Sequence, residues 1–107
     1  MSTLQGRWSG TNISVAPPGI GYDAVYMFWT DIADNTTGSV DVHYTPWTTN
    51  PPAWTSIIDA KHPAHRTGNL ITMDYGPYTE KLIWNENRLE GEVRQSNELR
   101  SNISLTK

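Results

Sequence analysis

Apolar and polar residues alternate along most of this chain, and no long stretch keeps its apolar residues at helical spacing. Clusters of Gly, Pro, Asn and Asp interrupt the alternation at short intervals. Alternation places successive side chains on opposite faces of a strand, and closely spaced turn clusters keep the strands short. The pattern therefore predicts an all-β fold in which consecutive strands pair as antiparallel hairpins, because no crossover helix joins them.

About eight strands account for this pattern. We predict them over residues 4–15, 22–32, 39–44, 54–60, 70–75, 78–84, 88–94 and 99–105. Closing the resulting meander into a small barrel removes its edge strands, which few charges would otherwise protect. A two-sheet β-sandwich is the alternative arrangement of the same strands. At 107 residues the chain is expected to form a single domain, residues 1–107.

The predicted first strand places Trp8 between Gly6 and Gly10 on one face. Glycines two positions from a bulky ring leave it room to lie across the backbone, and glycines within strands often mark a bend. We therefore expect Trp8 to close one end of the barrel.

The motif Gly6-x-Trp8 on a first strand, followed by an antiparallel meander, resembles the calycin group of small barrels. This group comprises the lipocalins, the avidins and the fatty-acid-binding proteins. The resemblance implies a barrel that binds small apolar ligands and is closed near this Trp. It also implies that an Arg from late in the chain packs over the ring, a position that Arg94 or Arg100 would take.

Aromatic residues are expected to supply much of the interior, because each ring buries roughly 150–250 Å². The chain contains 5 Trp, 5 Tyr and 1 Phe. The predicted inward-facing side chains are Trp8, Tyr26, Phe28, Tyr44, Met73, Tyr78, Leu82 and Trp84. A small barrel holds either packed side chains or one small ligand. We therefore expect either a fully packed core or a cavity no larger than about 300 Å³.

The first function that this interior predicts is the binding of a small apolar or aromatic molecule. The predicted contacts to this ligand are Tyr26, Phe28, Tyr44, Trp47, Trp54, Tyr78, Glu80 and Trp84. The segment from Pro46 to Trp54 contains three prolines and two tryptophans, which makes it a stiff apolar loop. We expect it to gate the barrel mouth, to contact a partner, or to fold back over the barrel end.

An enzyme of the isomerase, cyclase or hydratase type is the alternative function, and the pattern leaves open whether the protein is an enzyme. Its candidate catalytic residues are Glu80, Asp59 and His62. Glu80 shares its strand face with apolar neighbours, and burial would raise the pKa of its carboxyl into a range that suits a general acid or base. A strand phase shifted by one residue would instead leave Glu80 in solvent.

Two histidines, His62 and His65, lie in one predicted loop, Lys61–Asn69, shortly after Asp59. We interpret them as solvated loop residues, with a proton-transfer pair or a metal site as alternatives. Zinc needs three or four converging ligands, and the sequence assigns no third ligand here. We therefore predict no metal and no cofactor.

The second predicted strand is apolar on both faces, with Val25, Met27 and Trp29 on the face opposite Tyr26 and Phe28. A strand that is apolar on both faces is expected to be buried on both. The third functional hypothesis is therefore an interaction module that forms a homodimer through Val25, Met27 and Trp29.

Charge and composition limit the remaining partners. The net charge is −3 and the Lys and Arg residues are scattered, whereas nucleic-acid binding favours a positive stripe. The sequence has no apolar segment long enough for a bilayer and no secretory leader pattern. We therefore predict no nucleic-acid or membrane partner and a cytoplasmic protein, with secretion as the alternative. With no Cys, the chain forms no disulfide and no thiolate site.

Overall fold

The computed structural model describes residues 3–15, 21–47 and 57–107, and for residues 57–60 it describes the backbone alone. Its eight strands are β1 (Gly6–Ser14), β2 (Gly21–Phe28), β3 (Thr37–Pro46), β4 (Ile57–Thr67), β5 (Leu70–Tyr75), β6 (Tyr78–Asn85), β7 (Arg88–Gln95) and β8 (Glu98–Thr106). Each strand pairs antiparallel with the next, and β8 pairs with β1, so the sheet forms a closed barrel. No helix in the described ranges has the length and hydrophobicity that a membrane crossing needs.

The predicted antiparallel meander barrel is confirmed, and the alternative two-sheet sandwich is wrong. The deciding contact is the seam between β1 and β8, where Ser9 pairs with Thr106 and Ser14 pairs with Ser101. This seam leaves neither terminal strand as an edge, which is the stabilising consequence expected of closure.

The main error in the predicted strands concerns β4. Residues 61–67 of the predicted loop Lys61–Asn69 belong to this strand, which ends at Thr67. Pro63 favours a loop in the sequence, but in the structure it precedes His65, the first residue of β4 that pairs with β5. It therefore does not need to donate a hydrogen bond to β5. Strands tolerate proline at such edge positions. Lys61 has a φ of 57°, and this irregularity accompanies a register shift between β3 and β4. The strand is locally bulged and continues past the bulge.

The expectation that Trp8 is buried at one end of the barrel is confirmed. The ring is 0% exposed, and Nε1 donates a hydrogen bond of 2.9 Å to the Leu4 carbonyl. Ile32 joins the same apolar core, although it does not lie in β2 as predicted. β2 ends at Phe28, and Ile32 lies in the loop that follows, with its side chain buried. These side chains close this end, which is called the closed end below.

An arginine does not pack over Trp8, so the position implied for Arg94 or Arg100 is wrong. The side-chain ammonium of Lys107 lies there, 5.5 Å from the ring centroid. Because β8 runs antiparallel to β1, its last residues reach the closed end, whereas Arg100 lies near its start. Arg94 forms an ion pair of 2.6 Å with Glu92 on its own strand.

Most of the predicted inward-facing side chains are buried in the core: Trp8, Tyr26, Phe28, Tyr44, Met73 and Leu82. Tyr78 and Trp84 are less buried, because they lie near the two ends of β6 and therefore at the two rims of the barrel. Tyr78 is 39% exposed, and Trp84 packs partly buried against the core.

Candidate functional site

A cavity of about 500 Å³ opens at the end of the barrel opposite Trp8. Its walls come from the late residues of β1, β3, β5 and β7 and from the early residues of β2, β6 and β8. The cavity is larger than the expected limit of about 300 Å³, and the described residues do not pack this end of the barrel fully. The cavity has this room because two of the largest inward-facing side chains, Trp8 and Phe28, lie in the packed core toward the closed end.

Four tyrosines contribute to the cavity wall, namely Tyr22, Tyr44, Tyr75 and Tyr78. The ring centroids of Tyr22 and Tyr44 lie 6.1 Å apart with an interplanar angle of 53°. The ring of Tyr75 stacks on His62, with centroids 3.9 Å apart and planes within 7°. This stack bridges β4 and β5 beyond the end of their hydrogen-bonded ladder. Together the tyrosines present a largely aromatic surface to a bound molecule.

A buried carboxyl group lies among these rings. Glu80 of β6 is 0% exposed and is one of the residues that line the cavity. Its Oε1 accepts hydrogen bonds from the hydroxyls of Tyr26 and Tyr44, the latter at 3.2 Å. The two hydroxyl oxygens also lie within hydrogen-bond distance of each other. Each phenol has one proton, so each hydroxyl donates either to Glu80 or to the other hydroxyl at any one time. Asn12 forms a further hydrogen bond to Tyr44, so a polar network runs from β1 to β6 through β2 and β3.

The second oxygen of this carboxyl group, Oε2, is buried and has no hydrogen-bond partner among the described residues. Native proteins pair most buried polar atoms, and each exception needs an explanation. Here the unpaired atom belongs to a residue that lines the cavity, which makes Glu80 a candidate contact for a bound molecule.

Burial raises the pKa of Glu80 to about 7, against an ordinary value of 4.5. The hydrogen bonds from Tyr26 and Tyr44 act in the opposite direction without cancelling the effect of burial. Burial and the nearby Glu80 charge raise the pKa of both tyrosines well above 10.0. At neutral pH, therefore, Glu80 is present in both its protonated and its ionised form, while the two phenols stay protonated.

The structure brings some of the predicted ligand contacts together and separates others. Tyr44, Tyr78 and Glu80 line the cavity, and Tyr26 lies directly behind them through its hydrogen bonds to Tyr44 and Glu80. Phe28 and Trp84 do not line it. Phe28 is buried in the core, and Trp84 lies at the far end of β6, where its Nε1 donates to the Glu86 carbonyl at 2.9 Å.

Only the start of the predicted gate, Pro46–Trp54, is described. Trp47 is 53% exposed, and its Nε1 donates a hydrogen bond of 2.7 Å to Asp23 Oδ1. Its backbone N–H donates to the Gly21 carbonyl at 3.0 Å, which holds the ring against the start of β2. Trp54 lies outside the described residues, so the gate stays a prediction.

The predicted histidine pair is divided between different partners. His62 is half-buried against Tyr75, whereas His65 Nδ1 lies 3.0 Å from the Thr37 hydroxyl on the neighbouring strand. The side chain of Asp59 lies outside the described residues, so its pairing with His62 stays a prediction. Among the side chains that are described, no three His, Asp or Glu groups are placed to hold a metal ion.

The predicted homodimer patch is small in extent. Val25 and Met27 are half-buried on the outer face of β2, and Trp29 is 56% exposed just beyond the strand end. Met27 pairs with Arg7 on one side and Asp41 on the other, so charged residues flank the patch. The homodimer stays a prediction.

Several cavity residues escaped the sequence interpretation, notably Asn12, Tyr22, Tyr75 and Arg100. Alternation contained a usable signal for three of them, since Tyr22 shares the parity of the inward-facing Tyr26 on β2. Asn12 has the same parity as Trp8 on β1, and Tyr75 has the same parity as the inward-facing Met73 on β5. Their polar or hydroxylated side chains obscured their inward positions.

Comparison with protein-family models, with curated proteins and with solved structures finds no match for this chain.

Proposed function

We propose that the protein binds a small aromatic or apolar molecule in the cavity at the open end of its barrel. The observation that carries this proposal is a cavity of about 500 Å³ with an aromatic wall and a buried carboxyl group. Small-molecule sites typically enclose about 300–1,000 Å³ and combine apolar walls with a few polar groups that orient the ligand. The tyrosine rings and Val42 provide the wall, and Glu80 with Asn12 provides the orienting groups.

Calorimetric titration with naphthylethanol, a flat aromatic probe with one hydroxyl group, tests this proposal. Val93→Trp places an indole on the cavity wall and is expected to weaken binding by at least about tenfold. Ile83→Trp is the matched control, because Ile83 is 54% exposed outside the cavity. Binding that both variants retain would place the ligand elsewhere. A wild-type protein that binds no naphthyl probe would contradict the proposal.

A second candidate is an enzyme of the isomerase, cyclase or hydratase type, and the specific observation in its favour is Glu80. General acids and bases work best with a pKa near the working pH, and burial raises the pKa of this carboxyl to about 7. In this role the ionised carboxylate removes a proton from carbon beside a carbonyl group and later returns it. The hydroxyls of Tyr26 and Tyr44 hold the carboxylate through Oε1.

Deuterium exchange at the benzylic carbon of naphthylacetone, followed by NMR, tests this second candidate. We expect the wild-type protein to accelerate exchange and Glu80→Gln to abolish the acceleration while still binding the ketone. Exchange at the same slow rate in both proteins would leave a binding protein without this catalysis.

We further propose kinship with the calycins, a cytoplasmic location and a homodimer through Val25, Met27 and Trp29. Sedimentation at micromolar concentration tests the homodimer directly. We expect a mass twice that of one chain, reduced to one chain by Met27→Lys. A wild-type monomer would contradict the homodimer and leave the cavity proposal intact.

A further inference from the structure

We infer that the natural ligand is an aromatic amine whose ammonium group binds Oε2 of Glu80 at the inner part of the cavity. This inference rests on the proposed binding function and specifies the chemical class of its ligand.

The two oxygens of Glu80 are in different situations. Oε1 accepts hydrogen bonds from Tyr26 and Tyr44, so its acceptor positions are used. Oε2 is equally buried and is unpaired within the described part of the chain. Leaving a charged acceptor buried and unpaired is costly, so a donor from the ligand gains more here than at an exposed carboxylate.

The surroundings of Glu80 favour a cationic donor over a neutral one. Burial outweighs the hydrogen bonds to Oε1 and makes the ionised form of Glu80 costly without a partner. A cationic donor offsets this cost, because ionised acceptors make their strongest hydrogen bonds with charged donors. The tyrosine rings of the wall add a second attraction, because the face of an aromatic ring attracts an ammonium group within about 6 Å. An aromatic body attached to the ammonium group would occupy the remaining space between these rings.

The other charged group on the described cavity wall is Arg100, near the start of β8. Its guanidinium is held by Gln95 at 3.1 Å and by the Glu98 carboxylate at 3.5 Å. Gln95 lines the cavity as well, and the Glu98 carboxylate partly balances the charge of Arg100. Arg100 forms no hydrogen bond with Oε2 of Glu80, which is unpaired within the described ranges.

The groups around Glu80 that carry or can gain a charge come from several strands. Tyr22, Tyr44, Tyr75 and Tyr78 line the same space from β2, β3, β5 and β6, and Arg100 lines it from β8. Tyr26 of β2 contacts Glu80 directly, and His62 of β4 stacks on Tyr75. β1 and β7 contribute only uncharged lining residues, among them Asn12 and Val93. Burial, rather than a neighbouring charge, is the main cause of the raised Glu80 pKa of about 7.

The pH dependence of binding separates an amine from the opposite ligand chemistry. An alkylammonium, like lysine with its pKa of about 10.4, stays charged at neutral pH and requires ionised Glu80. Its affinity should therefore rise about tenfold between about pH 6 and about pH 8, as the ionised fraction rises. A ketone, which only accepts hydrogen bonds, would bind the protonated carboxyl, so its affinity should fall over the same interval.

The test is calorimetric titration of the full chain with three probes that share one ring system: naphthylethylamine, naphthylethanol and naphthylacetone. We expect the amine to bind about ten- to a hundredfold more tightly than the alcohol at about pH 8. Glu80→Gln should remove this preference while retaining the alcohol. Glu80→Asp, which keeps the charge on a shorter side chain, should retain part of the preference.

Each outcome decides the question. Tight amine binding that is lost in Glu80→Gln and falls at low pH supports the inference. Equal affinity for all three probes, or preference for the ketone, overturns the ligand class and leaves the proposed binding function standing. Absence of binding by all three probes overturns the proposed function and this inference together. Circular dichroism of both variants shows whether each is folded. If Glu80→Gln is unfolded, the amine preference of a folded Glu80→Asp variant is compared with that of the wild-type protein instead.

Discussion

The side-chain ammonium of Lys107 lies 5.5 Å from the centroid of the Trp8 ring. The same ammonium donates a hydrogen bond of 2.6 Å to the Thr3 carbonyl. The backbone N–H of Lys107 donates to the Asn87 carbonyl at 3.0 Å. Residues from the two ends of the described chain therefore meet over the ring that closes the barrel, and one side chain joins them.

This contact predicts a moderate contribution of Lys107 to stability. Lys107→Met keeps the aliphatic side chain but removes the charge and the hydrogen bond to Thr3. We expect the free energy of unfolding to fall by about 1 kcal/mol, measured by urea titration. Lys107→Arg retains a cation over the ring and should cost less. An unchanged unfolding midpoint for Lys107→Met would show that the contact contributes nothing in solution.

Trp8 itself should contribute far more, because its whole side chain is buried. Trp8→Ala removes the ring and leaves a cavity beside Leu4 and Phe28, and such replacements cost about 3–5 kcal/mol. For a domain of this size the loss is comparable with the total stability, so we expect a largely unfolded protein by circular dichroism. Ile83→Ala is the control: Ile83 is 54% exposed, and its change should stay below about 1 kcal/mol. A cooperative, nearly unshifted transition in Trp8→Ala would refute this account of the closed end.

Gly10 lies where β1 approaches β8 closely. A Cβ at this position would overlap the Ser104 carbonyl group, which belongs to the backbone and cannot rotate away. We expect Gly10→Ala to destabilise the protein by about 2 kcal/mol, because the strands must separate at the barrel seam. Ser9→Ala on the exposed face of the same strand is the matched control. Equal thermal unfolding of the two variants would contradict so close an approach.

Glu80 should make stability depend on pH in a direction opposite to that of most carboxylates. Its pKa is about 7 in the folded protein and near the ordinary 4.5 in the unfolded chain. Between these values the folded state binds more protons, so the free energy of unfolding falls as pH rises through this interval. The full effect is on the order of 3 kcal/mol, present below the lower value and lost above the upper one.

Glu80→Gln isolates this effect, because glutamine does not titrate and has nearly the same shape. Urea titrations give the free energy of unfolding of both proteins at about pH 5 and about pH 8. The difference between the two proteins at each pH removes the contributions of all other titrating groups. We expect the stability of the variant relative to wild type to increase by on the order of 3 kcal/mol between the two conditions. A difference that stays constant would mean that Glu80 ionises normally in the folded protein.

Several parts of the fold were predictable from the sequence because they depend on local pattern. The alternation of Val40, Val42 and Tyr44 identified an inward face, and short turn clusters identified the hairpins. The lengthened β4 was not predictable in this way. Pro63 looks like a strand terminator, and only the pairing of β4 with its neighbours shows that it lies where the ladder with β5 has ended.

For the site, the sequence by itself determined that Glu80 shares a face with apolar residues, since strand parity is a local property. Only the tertiary structure decided its surroundings: closure of the barrel brings Tyr26 and Tyr44 from distant strands to one carboxylate oxygen and leaves the other buried and unpaired among the described residues. It also decided that Lys107, and not an arginine, covers Trp8. Contacts between residues far apart in the chain depend on strand order and register, and local alternation records neither.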